Sequence, residues 1–359
     1  MNAKKFIRHF FIGSGMLLLV CILVVVIIDP LFQYHKPLPG LKEVLTDKEY
    51  QCVGSLKNFD YDSVIAGSSV AENYDNDWFN EGFDCHVIKA IRSYGATADL
   101  CYLLDEAFEH QELKYVFYNL DPSALVSAPE PTFELTGCPM YLYDDNYIND
   151  IEYVWNKGVL FEKVPYMLAQ SLIGDYDESN SYNWAQWKSF NSDMALGLYI
   201  RKPTVAEMKP ENSYEEELQN NLSILTARIE AHPETEFLIF MPPYSMLWWD
   251  STYRDGDTDA YLYNMEQAME VLLGYENVRC FYFMNDRETI TNLENYMDIL
   301  HFSDEINHRI CNYLINGEYE VTKENYQEAI EDMRRLSEEI VTRLVLPYED
   351  RMKVDIVDE

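Results

Sequence analysis

The sequence predicts an α/β fold built on a parallel sheet, set behind one apolar N-terminal helix. Three observations predict it. Short, continuous apolar runs alternate with segments of helical period. Such runs are the mark of strands buried on both faces, which is how parallel sheets are covered. The third observation is "FFIGSGMLLLVCILVVVII", Phe10 to Ile28, 19 residues without a charge. At 1.5 Å per residue it spans roughly 28 Å, close to the thickness of a hydrocarbon core.

Lys4, Lys5 and Arg8 precede that run and Asp29-Pro30 follow it. The basic flank is expected in the cytoplasm. No A-x-A-like site follows, so an uncleaved anchor is expected rather than a signal peptide. Residues 1–28 are thus read as a cytoplasmic tip and a single-pass plasma-membrane anchor, with the main domain outside. All 62 acidic residues and all but three of the 27 basic ones lie beyond the anchor. A charge of −35 argues against nucleic acid as a partner, because phosphate binding needs clustered Lys and Arg. Six of the seven cysteines lie beyond the anchor, with no C-x-x-C pair. Disulfides and buried thiols both stay open, and a thiolate zinc site has no support.

Residues 29–58, punctuated by Pro30, Pro37, Pro39 and Gly40, read as a linker. Strands follow at "DSVIAGSS" (62–69), "CHVIKAI" (85–91), "YVFYNLD" (115–121), "EFLIFMPPYS" (236–245) and "VRCFYFM" (278–284). Helices are expected at 96–111, 213–232, 259–274, 303–317 and 322–346. Ser213 with Glu216 suggests a capping box on the second, and Gly274 and Gly317 close the third and fourth. Residues 122–210 break the alternation and read as an insertion of short helices and loops. The whole domain spans 59–346, and 347–359 forms an acidic C-terminal tail.

In such sheets ligands bind beyond the carboxyl ends of the strands, so "GSS", "NLD" and "PPYS" are the places to seek chemistry. In "VIAGSSVAENY", Ser69 stands just past the first strand. A Gly-Ser-Ser turn is by itself ordinary turn chemistry. A nucleophilic serine needs a base, and the base an orienting acid. His9 and His35 flank the anchor, His86 falls in a strand where a packed role suits it, and His110, His232 and His308 fall at or within helices. His301 differs. It lies in "ENYMDILHFSDEIN", three residues after Asp298 and directly before a helix. A D-x-x-H turn lets a carboxylate fix the imidazole tautomer while the other nitrogen faces outward. An incidental surface pair is the plainer explanation of that motif read alone. Tyr244, Ser245 and Trp248, at the end of the fourth strand, are candidates to line a pocket; packing of the sheet edge is the alternative for the tryptophans.

"VIAGSSVAENY" near the start of the fold and "DILHF" near its end resemble the SGNH (GDSL-like) hydrolases. "MPPYSMLWW" and "HFSDEINHRICNYLINGEYEVTKENY" are similar to membrane-anchored members, in the branch of DltD and the alginate O-acetylation proteins. The resemblance implies a flavodoxin-like three-layer α/β/α sandwich around a five-stranded parallel sheet. It implies Ser69 as nucleophile, His301 as base and Asp298 as its partner. The backbone N–H groups of Ser69 and Gly95 would serve an oxyanion, with Asn119 as a further donor. Ser68 stands where many relatives have Asp. The third block departs: Asp121 lies near the position of the family's Asn, and a carboxylate there opposes an oxyanion unless protonated or turned away.

The expected activity is that of an esterase or O-acyltransferase on acyl groups, O-acetyl above all, of a cell-surface or exported polysaccharide, with no metal or organic cofactor. A membrane-bound O-acyltransferase is an expected partner. The competing expectations are a weak or inactive scaffold in a surface-polymer modification complex, which Asp121 favours, and a lipid-facing thioesterase or phospholipase.

Overall fold

The computed structural model describes residues 3–354. The end of the acidic tail, 355–359, lies outside the described residues, as do residues 1 and 2 of the cytoplasmic tip. The chain falls into two compact units. One joins the chain up to Asp60 with Phe133–Tyr182; the other joins Tyr61–Thr132 with the chain from Asn183 onward.

The first unit holds the N-terminal helix Ala3–Ile28, which is long and apolar enough to cross a membrane. Residues 29–58, expected as a linker, are ordered and contain the helix Lys48–Asn58. That helix lies hard against the chain leaving the apolar helix: a Cβ on Gly54 would sit 2.5 Å from the Leu31 carbonyl oxygen. Glycine permits this close approach. Asp29, at φ 46°, turns the chain. Its carboxylate accepts the N–H groups of Gln33, Tyr34 and His35 and the Tyr153 hydroxyl at 2.6 Å.

The second unit is α/β around a mixed, mostly parallel six-stranded sheet. The strands are β1 (Ser63–Gly67), β2 (Val87–Ile91), β3 (Tyr115–Asn119), β4 (Glu236–Met241), β5 (Val278–Tyr282) and β6 (Glu320–Val321). Their order is β2-β1-β3-β4-β5-β6. The first five are parallel, and β6 runs antiparallel beside β5, pairing Val321 with Cys280. Five strands were expected and the sheet has six; two residues are too short a run to carry a sequence signal. β1 and β2 are buried along their whole length, as expected for strands covered on both faces. Lys89 on β2 is the exception in kind: a lysine with no exposed surface, donating to the Glu72 carbonyl at 2.7 Å.

The helices pack in two groups. Thr97–His110, Glu215–Ala231, Thr258–Leu272 and Tyr326–Glu339 contact one another in that order, while Asn76–Phe83 packs on Asp304–Asn316. The capping box expected from Ser213 does not form. The helix starts two residues later, and the Ser213 hydroxyl donates to the Pro210 carbonyl instead. Gly317 closes Asp304–Asn316 in the left-handed conformation, as its position suggests. The cysteines are thiols rather than disulfides. His86 is exposed and precedes β2, so the packed strand role read from its position is not what the fold gives it.

Candidate functional site

The strand order reverses direction between β1 and β3: the chain steps from β1 outward to β2, then crosses back to β3 on the other side. Ligands of open α/β sheets bind outside the carboxyl ends at such a point. The residues that leave β1 and β3 there are Ser68-Ser69 and Asn119-Leu120-Asp121.

Gly67 ends β1 in a confined place. A Cβ on it would lie 2.7 Å from the Ala71 Cβ and 2.9 Å from the Asn119 Cβ. The missing side chain lets the next residues turn sharply into the 3-10 turn Ser69–Ala71, which Ser68 caps through its hydroxyl to the Val70 N–H. Ser69 is left half-buried at the strand end. Its Oγ lies 2.9 Å from His301 Nε2, across 232 residues of sequence.

His301 is set by Asp298. The carboxylate takes the ring Nδ1 on Oδ2 at 2.7 Å and the backbone N–H groups of Leu300 and His301 on Oδ1, each at 2.8 Å. With Nδ1 facing a carboxylate, the ring keeps its hydrogen there and presents Nε2 to Ser69 as an acceptor. Burial alone would raise the Asp298 carboxyl. The His301 ring and the two backbone donors outweigh it and hold the carboxyl below its usual range. Asp298, His301 and Ser69 thus form one hydrogen-bonded chain, although the D-x-x-H motif and the Gly-Ser-Ser turn each read alone as ordinary structure.

The expected oxyanion donors fare differently. The Gly95 N–H donates to the Arg92 carbonyl at 3.1 Å, so that hydrogen is spent within its own turn and the role read for Gly95 is corrected. Asn119 is fully buried, and its Nδ2 donates to Asp121 Oδ1 at 3.1 Å. Asp121 also receives the Tyr244 hydroxyl on the same oxygen, and the Ser68 hydroxyl bonds to its carboxylate. Burial pushes the Asp121 carboxyl upward, against the pull of Ser68, Tyr244, the His301 charge and Asn119. Ser68, Asn119, Asp121 and Tyr244 are therefore a joined polar cluster beside the serine.

Two pocket candidates have other tasks. Ser245 is buried and caps the helix Met246–Arg254 through its hydroxyl to the Leu247 N–H. Trp248 is also buried, packed edge-on against Tyr244, Trp249 and Tyr261. The packing alternative for the tryptophans holds. Sequence reasoning missed Trp184, whose indole stands edge-on to the His301 ring at 5.0 Å and 83°. It is held by Asn73, four residues past Ser69, whose side-chain oxygen accepts the N–H groups of Trp184 and Ala185. The Ser69-x-x-x-Asn73 spacing offered no signal, since Asn is common in turns.

Among the described residues no group of three or more His, Cys, Asp or Glu is placed to hold a metal ion. No protein-family model matches the chain, and no curated protein matches it.

Proposed function

We propose that this chain is a membrane-anchored serine esterase or O-acyltransferase of the SGNH type, acting on acyl groups, chiefly O-acetyl, of a cell-surface or exported polysaccharide. The observation that carries the reading is the Ser69–His301–Asp298 chain of hydrogen bonds at 2.9 and 2.7 Å. The strand order β2-β1-β3-β4-β5, with the serine at the switch point, supports it, as do two groups of helices that would form the outer layers of a three-layer sandwich. Lys4, Lys5 and Arg8 before the apolar helix support an inside N-terminus and an outward domain.

In this mechanism His301 Nε2 takes the Ser69 proton as Oγ attacks the acyl carbonyl. Asp298 stabilises the imidazolium. The proton then passes to the leaving alcohol, and an acyl-serine remains. Water as acceptor gives an esterase; a sugar hydroxyl gives a transferase, and both share this first half. No step calls on a metal or organic cofactor. A membrane-bound O-acyltransferase is a fitting partner for the transferase form.

A second reading, a scaffold in a surface-polymer modification complex with little catalysis, is favoured by Asp121, which the resemblance puts near the position of the family's Asn. The full-length protein in detergent separates the two. Hydrolysis of p-nitrophenyl acetate and fluorophosphonate labelling, both abolished by Ser69→Ala, are expected for the enzyme. Labelling absent from folded wild-type protein would overturn it, and activity surviving in Ser69→Ala would sink the triad assignment.

A further inference from the structure

The apolar helix is not bare along its length. Residues 3 to 20 are largely uncovered, but from Cys21 to Ile28 the same unit packs against it, and Val25 is fully buried. The covering residues lie in Ile151–Val154 and Val159–Lys163, and the segment continues to Ile173. Tyr153 fixes its start to the helix exit through Asp29. The chain then runs back along the helix, and Val154, Trp155, Leu160 and Phe161 line a pocket of ≈ 260 Å³ together with Cys21.

That contact sets a depth. Cys21 lies seven residues before Ile28, about 10 Å along the axis. The uncovered part of the uncharged run, Phe10 to Val20, amounts to only about 16 Å. A hydrocarbon core of about 30 Å needs the rest of the run, 21–28, as well. Whatever is packed on 21–28 must then go into the membrane with it.

The outer face of the covering segment suits that place. From 151 to 173 the charged residues are four, exposed Glu152, Lys157 and Glu162, and Lys163, which is bridged to Asp47 at 2.6 Å. The turn Val159–Lys163 and the helix Val164–Leu172 bury Val159, Val164 and Met167 inward. Outward they present Phe161 at 71 %, Leu172 at 69 % and Ile173 at 89 % exposure, with Tyr166 and Trp155 beside them. A helix apolar on both faces fits a lipid environment, and Trp and Tyr favour its interfacial zone.

We propose that residues 151–173 form a collar seated in the lipid of one leaflet around the emerging helix, so that the protein holds the bilayer by a span and a submerged collar together. The inference rests on Ala3–Ile28 spanning the membrane. Its occupant is the lipid bilayer, because exposed Trp155 and Phe161, which line the pocket with Cys21, continue the apolar surface of the helix at that depth.

The test uses full-length protein in phosphatidylcholine–phosphatidylglycerol vesicles, with Cys21→Ser and Cys85→Ser to remove the half-exposed thiols. An environment-sensitive fluorophore is placed at Leu18→Cys, Phe161→Cys or Leu172→Cys, each checked for native circular dichroism. Nitroxide-bearing acyl chains are expected to quench Phe161→Cys and Leu172→Cys at least half as strongly as Leu18→Cys. Quenching at 18 but at neither 161 nor 172 would overturn the collar and assign that face to water, a second copy or another protein. No quenching at 18 would overturn the span itself, and the collar with it.

Discussion

Ser245 grips the carbonyl oxygen of Ile299 twice, with its hydroxyl at 2.9 Å and its backbone N–H at 3.2 Å. Ile299 sits between Asp298 and His301, so this grip ties the D-x-x-H turn to the end of β4. Ser245→Ala keeps the N–H contact but loses the hydroxyl bond and the helix cap. The expected cost is about 1–2 kcal/mol in unfolding free energy. Turnover should fall several-fold with KM little changed, since the loosened turn positions the base without touching substrate. Denaturant unfolding and steady-state ester hydrolysis check both halves; an unchanged kcat in a destabilised protein would confine Ser245 to a structural role.

Asp121→Asn replaces the raised carboxyl by the neutral amide that the resemblance favours. An ionised carboxylate beside Ser69 opposes a developing oxyanion. The variant should hydrolyse p-nitrophenyl acetate faster than wild type, on the order of 10-fold, with the gain widening as pH rises and wild-type Asp121 ionises. The stability sign agrees. A carboxyl raised in the folded state contributes stability below its unfolded value of 3.8 and loses it as pH climbs through the raised value. The melting-temperature advantage of Asp121→Asn should therefore grow upward from pH 3.8. A slower variant with no such trend would show that the acid form of Asp121 acts as a donor.

Trp184→Ala removes the edge-on contact with the His301 ring. Aromatic pairs of this kind contribute about 0.5–1.5 kcal/mol. A loss of roughly 2- to 10-fold in kcat/KM is expected. Trp184→Phe should recover part of it, which a general folding defect would not allow.

Lys89 gives a pH signature away from the serine. Burial lowers its ammonium from 10.5 to about 7, opposed by the charges of Asp75, Glu72 and Asp304. Between those values the unfolded chain holds a proton that the folded chain does not, so this lysine makes stability rise with pH from about 7 to 10.5. Lys89→Met should flatten that rise in thermal melts taken across the window. Parallel wild-type and variant curves would show that Lys89 stays charged in the folded protein.

Much of this was legible before the structure. The five parallel strands announce themselves as short apolar runs because burial on both faces leaves little room for polar residues. Asp298 and His301 are readable because their hydrogen bond is local, closed within one turn. Trp184 was not readable: it reaches His301 from a stretch without period, and Asn73, over 100 residues away, holds it there. Gly95 was misjudged because a glycine signals a tight turn without saying where its N–H points. Ser245 and Trp248 carry the same residue types whether they line a pocket or pack a core; burial decides, and burial depends on the helix that follows them.

The separation of 232 positions between Ser69 and His301 has a consequence in time. β1 comes early in the chain, but His301 comes only after β5 in sequence. Contacts between such distant positions form late, after the loop-closure entropy of the intervening sheet has been met. An unfinished or truncated chain would carry Ser69 without its His301 partner, and the complete sheet is the condition for that hydrogen bond.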